Sequence, residues 1–398
     1  MACTATGLEF PYRMCPTVDS TRAMDYHWLL WRYMGLNPPN LDDGLLMRLY
    51  NVHRIVWNFL FAVCFPLTIL INCFVSESFM ELCENLFVAL PDSFAIIKYA
   101  NLWRVRGQLK QVHQILRRLD GRLHTLEEQA IILSAERQCK RIFKAVIILF
   151  TEILFNAGLV VYWSPTRQLL FPSWFPWNWW ETRQRFMATL LLQLVGLLMH
   201  ALIVAGNDTN PQAYLTMVAA HIKALSMRIS SLGHEVGQSQ EQVYLSLRDC
   251  IEDHIIILEL MDTLDKSLSL ACFFQFFCTA MSQCALGVFI FYIDLSPSKT
   301  VFLLFMFLAL TMETLIICYA AELVFYEGEQ LTIAIYSCNW VDQHLKFRRA
   351  LLLMLQRSQK IRVVVAANFI PVRMATLLAV FRGAYSMFTL LRNVNMRE

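Results

Sequence analysis

Seven stretches of this chain are apolar for about the length of a bilayer crossing, and they constrain the fold more than any motif does. They lie at about 53–75, 79–101, 142–163, 186–206, 268–293, 299–323 and 371–392. A helix needs roughly 20 such residues to cross ~30 Å of hydrocarbon. Inside hydrocarbon every backbone N–H and C=O must be bonded within the protein, so runs of this kind become helices. Composition points the same way: 16% of the residues are charged, against about 25% in a soluble domain. The expected fold is therefore all-α, a polytopic membrane protein with seven transmembrane helices. The second stretch is the least regular, because Glu81, Glu84, Pro91 and Asp92 interrupt it. Pro91 should kink the helix, and the acids should face protein or water rather than lipid.

The orientation follows from Lys and Arg between the spans. Arg13, Arg22, Arg32, Arg48 and Arg54 precede the first. Arg104, Arg106, Lys110, Arg117, Arg118, Arg122, Arg137, Lys140 and Arg141 separate the second from the third. Lys346, Arg348, Arg349, Arg357, Lys360, Arg362 and Arg373 precede the seventh, while the short first loop holds only Glu77. Arg167, Arg183 and Arg185 make the loop after the third span a partial exception. The N-terminus is thus expected in the cytoplasm and, after seven spans, the C-terminus outside. The first fifty residues lack a basic start, apolar core and small-residue cleavage site, so the first span must itself target the chain. A net charge of +3 without a basic aromatic patch argues against nucleic-acid binding. The twelve cysteines are scattered without CxxC or Cys/His spacing, which reads as buried thiols with no metal and no cofactor. No nucleophile elbow, phosphate-cradling loop or HExxH is present, so an enzyme is not expected.

Between the spans the chain is patterned. Asp25 to Leu36 is amphipathic and rich in Trp and Tyr, and suits either the membrane interface or docking against protein. Tyr214, Met217, Val218, His221 and Leu225 fall on one helical face. Leu247, Ile251, His254, Leu258 and Met261 repeat at alternating four and three. The fourth and fifth spans should therefore extend past the bilayer and, with helices over 324–362, form a cytoplasmic helical anchor domain. That seam serves packing within the chain or contact between subunits. Ser173-Trp174-Phe175-Pro176-Trp177-Asn178-Trp179-Trp180, in the outer loop, reads as an interfacial anchor or as a lid over an apolar pocket. Asn207-Asp208-Thr209 fits a glycosylation sequon that this orientation would leave unmodified in the cytosol. Glu152, near Asn156, and Glu313 are acids inside spans, suited to bonds between helices or to an aqueous vestibule. Arg382 calls for an acidic partner on the fifth or sixth span. The domains are then 1–52 (tail and interfacial helix), 53–206, 207–267 (cytoplasmic extension), 268–323, 324–370 (anchor helices), 371–392 and 393–398 (outer tail).

The last seventy residues carry a specific pattern: Tyr336-Ser337-x-Asn339-Trp340, the Leu351–Leu355 helix leading to Arg357-Ser358-Gln359, Phe369-Ile370-Pro371, then Ala384-Tyr385-Ser386-Met387-Phe388-Thr389-Leu390-Leu391. This resembles the C-terminal signature of the insect odorant receptor family. An N-terminal Trp28-Leu29-Leu30-Trp31-Arg32-Tyr33-Met34-Gly35-Leu36 adds weaker support. The resemblance implies the inverted topology and an odorant-gated, non-selective cation channel. Such a channel is assembled with a shared co-receptor, as a tetramer, in the plasma membrane of an olfactory neuron's dendrite. A gustatory receptor would instead end its last helix with Thr-Tyr and a later Gln-Phe. A metabotropic seven-helix receptor would need the opposite loop charge.

The family places its odorant pocket in the outer halves of the second, third, fourth and sixth spans. Here those offer Leu86 and Phe87; Phe155, Leu159 and Tyr162; Leu191 and Leu194; and Phe302 and Phe305. A volatile organic would bind there mainly by apolar burial. The last span is the candidate pore wall: Phe388 and Leu391 as an apolar gate, Tyr385 and Thr389 beside them, Arg392 at the outer mouth. The resemblance favours subunit contact through Leu247, Ile251, Leu258, Tyr336 and Trp340.

Overall fold

The computed structural model describes residues 18–38, 44–164, 167–235, 237–292 and 297–395. Residues 1–17 of the expected N-terminal tail and 396–398 of the expected outer tail lie outside this description. So do the side chains of Tyr162, Leu391 and Arg392.

Long helices build the molecule. A 3-10 turn (Ser20–Met24) leads into α1 (Asp25–Tyr33). Then α2 (Gly44–Trp57), a π-helical segment (Asn58–Cys64) and α3 (Phe65–Val75) run as one rod. In that segment the Phe65 N–H reaches back to Leu60 O, so the rod crosses Pro66 without a break. Next come α4 (Phe79–Asp120), α5 (Leu126–Trp163), α6 (Arg183–Ser230), α7 (Gln240–Tyr292) and α8 (Pro297–Ser337). The short α9 (Leu345–Ser358), a hairpin of β1 (Val365–Ala366) with β2 (Ile370–Pro371), and α10 (Met374–Asn395) complete it. Side-chain caps set the starts: Ser78 for α4, Thr182 for α6, and a reciprocal Thr125–Glu128 box for α5.

Five of these helices are long and apolar enough to cross a membrane: the Gly44–Val75 rod, α5, α6, α7 and α8. α10 is apolar over the shorter Met374–Leu390, and α4 owes its lower hydropathy to its acids and Lys98. Apolar side chains such as Phe74, Ile148, Leu191 and Leu304 form the outer surface of the rods. This is an all-α, multi-pass membrane protein. We call the end with the loop over 167–182 apical and the end with α9 basal.

At the basal end α6 is the central rod. Every residue from 203 to 222 is buried, and α6 packs most extensively on α8, as α4 does on α7. Leu247 and Met261 of the α7 seam are buried in this same core and face their own chain. α1 docks rather than floats: His27 and Trp31 are buried, and His27 Nε2 lies 2.7 Å from Thr209 Oγ1. The Asn207-Asp208-Thr209 sequon is thus closed to glycosylation by burial, whichever side of the membrane it occupies.

The C-terminal signature explains itself here. Asn339 donates its backbone N–H to Leu232 O and its side-chain amide to Gly233 O, at 3.0 and 3.1 Å, fastening the α6–α7 turn to the end of α8. Gly233 has φ +77°, and a Cβ there would stand 2.9 Å from Asn339 O, so the turn requires glycine. Nearby, Arg228 donates to Glu128 at 2.8 Å, to Asp253 at 2.6 Å and to Arg122 O at 3.0 Å. Burial raises the Glu128 carboxyl, but the Arg228 bond and two backbone N–H groups outweigh that and leave it below the usual range.

The N-terminal turn is held by Asp120 at the end of α4. Its carboxylate accepts from Ser20 N at 2.8 Å and Ser20 Oγ at 2.5 Å, and His221 Nε2 lies 3.6 Å away. Burial raises Asp120 from 3.8 to about 6, despite the Ser20 bonds, and lowers His221 to about 4. A raised acid binds its proton more tightly in the folded state. Its contribution is therefore full below pH 3.8 and is lost as pH rises through about 6. The Asp120 share falls by roughly 3 kcal/mol across that window, while His221, lowered from 6.5 to about 4, contributes in the opposite direction as pH rises. The advantage of wild type over Asp120→Asn should therefore shrink by that amount as pH rises from 3.8 to about 6, read as the difference between their pH–melting curves. A difference that stays constant would mean the carboxyl does not titrate here.

Candidate ligand-binding site

The apical halves of the helices hold two neighbouring chambers that share Phe171 as a wall. The loop over 167–182 roofs the larger chamber and is tied down at several points. Gln193, buried on α6, accepts from Leu170 N at 2.8 Å and donates to Phe171 O at 2.7 Å and Ser173 Oγ at 2.8 Å. Trp177 Nε1 donates to Thr189 Oγ1, and Trp174 N donates to Thr68 O, each at 2.8 Å. The loop is thereby fixed as a structured roof. Trp179 lines the cavity, while Trp174, Trp177 and Trp180 keep exposed faces suited to an interface.

The outer chamber holds about 460 Å³ and is walled by Phe171, Phe302, Leu303 and Phe289, with Asn72, Glu81, Glu84 and Arg167 at its polar side. The inner chamber holds about 90 Å³ between α4, α5, α6 and α8. Its walls are Val88, Pro91, Ile153, Leu154, Leu197, Met306 and Leu310; Asp92, His200 and Glu313 are its polar members. Phe171 belongs to both chambers and packs against Phe302 at a ring distance of 5.7 Å.

The pocket residues expected from the sequence divide. Phe302 lines the outer chamber. Phe87 is buried in the apical core, 5.7 Å from the Phe289 ring, and Leu86 packs beside it. Phe305 is half-buried and lines neither chamber. Phe155, Leu159, Leu191 and Leu194 point outward, Phe155 being 62% exposed. The physical reason is that an apolar span must satisfy lipid as well as pocket, and hydrophobicity does not distinguish the two faces.

Below the inner chamber lies a buried polar cluster. Lys98 Nζ of α4 binds Asp208 of α6 in an ion pair, and donates to Gln275 Oε1 of α7 at 2.6 Å. Gln275 Nε2 in turn donates to Glu313 Oε2 of α8 at 3.1 Å. Thr279 and Thr314 close the group at 2.7 Å. Four helices meet in one hydrogen-bonded unit, and Glu313 is both a member of it and a wall of the inner chamber. Glu152, the acid of the third span, is exposed. Lys98, Gln193, His200 and Gln275 were not singled out from the sequence. Their signal is a polar residue inside an apolar span.

α10 packs chiefly on α7. Leu377, Phe381, Ala384 and Phe388 face inward, and Phe388 covers Gly287 and lies 5.9 Å from the Phe291 ring. Phe388, expected as a gate, is therefore turned toward its own chain. The opposite face is exposed and carries Ala375, Ala379, Arg382, Gly383 and Ser386, flanked by the exposed Leu378, Tyr385 and Leu390. Thr389 is half-buried and bonds to Ser386 O. At the foot of α10, Glu322 of α8 holds Arg373 at 2.7 Å and accepts from Met374 N at 3.1 Å.

Taken together, this is a multi-pass helical membrane protein with a roofed, largely apolar cavity in its apical half. The family profile described as "7tm Odorant receptor" matches residues 78–385. Odorant receptor 19a of Drosophila melanogaster is 37% identical over 379 residues, covering 95% of this chain and 97% of that protein. Odorant receptor 2a of the same species is 31% identical over 391 residues, covering 94% and 97%. The insect olfactory receptor OR5 from Machilis hrabei superposes with a TM-score of 0.76 at 15% identity, covering 93% of this chain and 97% of that one. Its complex with eugenol gives 0.78. The chain belongs to the odorant receptor family of insects.

Proposed function

We propose that this chain is the odorant-tuning subunit of a ligand-gated, non-selective cation channel, formed with the odorant receptor co-receptor in the dendritic plasma membrane of an olfactory neuron. Its basal end, which carries most of the Lys and Arg between the spans, is cytoplasmic. A volatile organic ligand occupies the roofed outer chamber. The observation that carries the reading is the free face of α10. A stripe of small residues with Arg382 and Ser386 is unsuited to hydrocarbon and suited to water or to neighbouring helices.

Assembly is supported at the basal end. Ile333, Tyr336, Val341, Leu345, Leu352 and Leu353 are all exposed there, Tyr336 by 68% and Leu353 by 67%. Trp340 is half-buried beside them, with its ring 6.2 Å from that of Tyr336. This is the face for a neighbouring subunit. Of the α7 seam, Leu247 has no surface left to offer, and Ile251 and Leu258 are half-buried. Tyr336→Asp with Leu353→Asp should leave the chain monodisperse. It should reduce co-purification with the co-receptor by about 30-fold, the scale of losing an interface hot spot.

The function itself is tested in excised outside-out patches without GTP, with and without the co-receptor, under a panel of volatiles. Fast currents that require both chains are expected. A requirement for GTP would replace the channel by a metabotropic mechanism.

A further inference from the structure

A groove separate from both chambers opens on the outer surface toward the basal end. The turn after α1, the Gly44–Val75 rod and α4 enclose about 380 Å³ there. Its interior is built around Arg54. Gly35 has φ +86°, and a Cβ on it would overlap the Arg54 stem, so the arginine is laid across the glycine backbone. Asn58 Nδ2 donates to Arg54 O at 2.7 Å and to Met34 O at 3.1 Å, and Tyr99 Oη donates to Asn58 Oδ1 at 2.9 Å. Asn58 also opens the π-helical segment, a rare geometry that frequently marks functional sites. At the rim Arg106 lies over the Trp103 ring at 5.1 Å and donates to Leu36 O at 2.8 Å.

Depth and charge identify the occupant. At roughly 1.5 Å per residue, the rod from Val75 to Arg54 is about 30 Å long, the thickness of the hydrocarbon core. Arg54 therefore sits at the basal edge of the bilayer, where headgroup phosphates lie. Ile55, which lines the groove, and Phe59, one turn further into the membrane, are exposed and form an apolar track leading away from it. Trp103, also exposed, is the aromatic that suits this level. Arginines elsewhere are paired: Arg122 with Asp253, Arg228 with Glu128, Arg373 with Glu322. Among the described residues no carboxylate pairs with Arg54 or Arg106. A guanidinium without a counter-charge at the edge of hydrocarbon calls for an anion. A phosphodiester offers paired oxygens that match the guanidinium fork, and its acyl chain covers the apolar track. A free phosphate answers only the first need and a hydrocarbon only the second. A zwitterionic lipid brings a cation of its own, so two arginines favour a lipid of net negative charge.

We propose that this groove binds an anionic phospholipid, with the phosphate held by Arg54 and Arg106 and an acyl chain along Ile55 and Phe59. Tyr99 lines the groove and the adjacent Lys98 enters the buried polar cluster, so the lipid braces the turn of α4 on which that cluster is built. The proposed orientation of the basal end decides only that the cytoplasmic leaflet, which carries the anionic lipids, supplies it.

The test titrates phosphatidylserine and phosphatidylcholine onto the purified full chain in detergent, with bound lipid counted by native mass spectrometry. Inorganic phosphate is the probe for the headgroup anion alone. Phosphatidylserine should bind about tenfold more tightly than phosphatidylcholine, and phosphate should not displace it. Arg54→Gln should remove that preference. Arg48→Gln, at an exposed arginine of the same rod outside the groove, should keep it. Ala100→Trp, which fills the groove without changing charge, should weaken both lipids and tests the site independently of Arg54. Equal binding of the two lipids, a preference that survives Arg54→Gln, or an equal loss in Arg48→Gln would each overturn the site. Displacement by phosphate would overturn the lipid and leave a plain anion site. Normal lipid binding in Ala100→Trp, with co-purification of the co-receptor lost, would make the groove a subunit contact instead. Binding is read without odorant or current, so silent patches beside an Arg54-dependent preference would sink the channel reading and keep this site.

Discussion

Lys98→Met should remove most of the folded protein, by far the largest effect expected of any single exchange in the membrane half. Lys98 is 5% exposed and Asp208 1%, and the lysine is the cation that balances the Asp208 carboxylate. The remaining oxygen, Asp208 Oδ2, is buried without a hydrogen-bond partner, and Glu313 belongs to the same cluster through Gln275. Removing the lysine therefore leaves the Asp208 carboxylate without its cation among apolar helices. Breaking one side of a buried pair costs about 3–5 kcal/mol, a large share of a domain's total of roughly 5–15. The double exchange Lys98→Met with Asp208→Asn removes both charges and should recover most of the loss, since the net worth of a buried pair over a neutral replacement is small. The measurement is the melting midpoint and monodisperse fraction in detergent for wild type, both single variants and the double. A Lys98→Met variant as stable as wild type would show that the pair is hydrated in the folded protein.

The same cluster shows which parts of this molecule could be read from the sequence. The helices could, because a run of apolar residues at bilayer length admits no other backbone. The continuation of α6 and α7 beyond the apolar runs could be read as well. The Leu247 and Met261 spacing marks a helical seam wherever it occurs, and both residues lie in a packed core. What that seam packs against could not be read: Leu247 and Met261 turn into their own chain's core, while Ile251 and Leu258 are half-buried. Pocket residues were the least legible. Phe155 and Leu191 match the pocket by position along their helices, yet they lie on the outward faces. Lipid and pocket both select apolar side chains, so hydropathy carries no sign of direction. Polar residues within spans carry more information, since each must find a partner. Glu313 does so through Gln275, whereas the sequence cannot show that Asp92 meets His200 across two helices. Gln193 belongs to the same kind: one amide inside an apolar helix fixes the roof of the cavity at three bonds.

Arg382→Glu should change ion permeation more than any other exchange in α10. The stripe Ala375, Ala379, Arg382 and Ser386 advances by four, three and four residues, so it forms one line along the exposed face of the helix. If that line faces a shared pore, each copy of this subunit sets a positive charge beside the permeating cation. A unit charge about 10 Å away contributes roughly 0.4 kcal/mol in water and roughly 1.7 at an effective dielectric constant of 20. Reversing its sign doubles these values, so the local cation concentration should rise about fourfold or more. The expected readout is a larger inward conductance and a reversal potential shifted toward cation selectivity, strongest at low salt because screening shortens the reach of the charge. Phe388→Ala is the contrasting variant. Phe388 covers Gly287 on its own chain's α7, so its loss should open a void and weaken the seat of α10. That alters gating or stability and leaves selectivity where it was. Should Phe388→Ala move the reversal potential while Arg382→Glu leaves it unchanged, α10 must turn in the assembled channel so that its present inner face meets the ions. The arginine line would then be a contact between subunits.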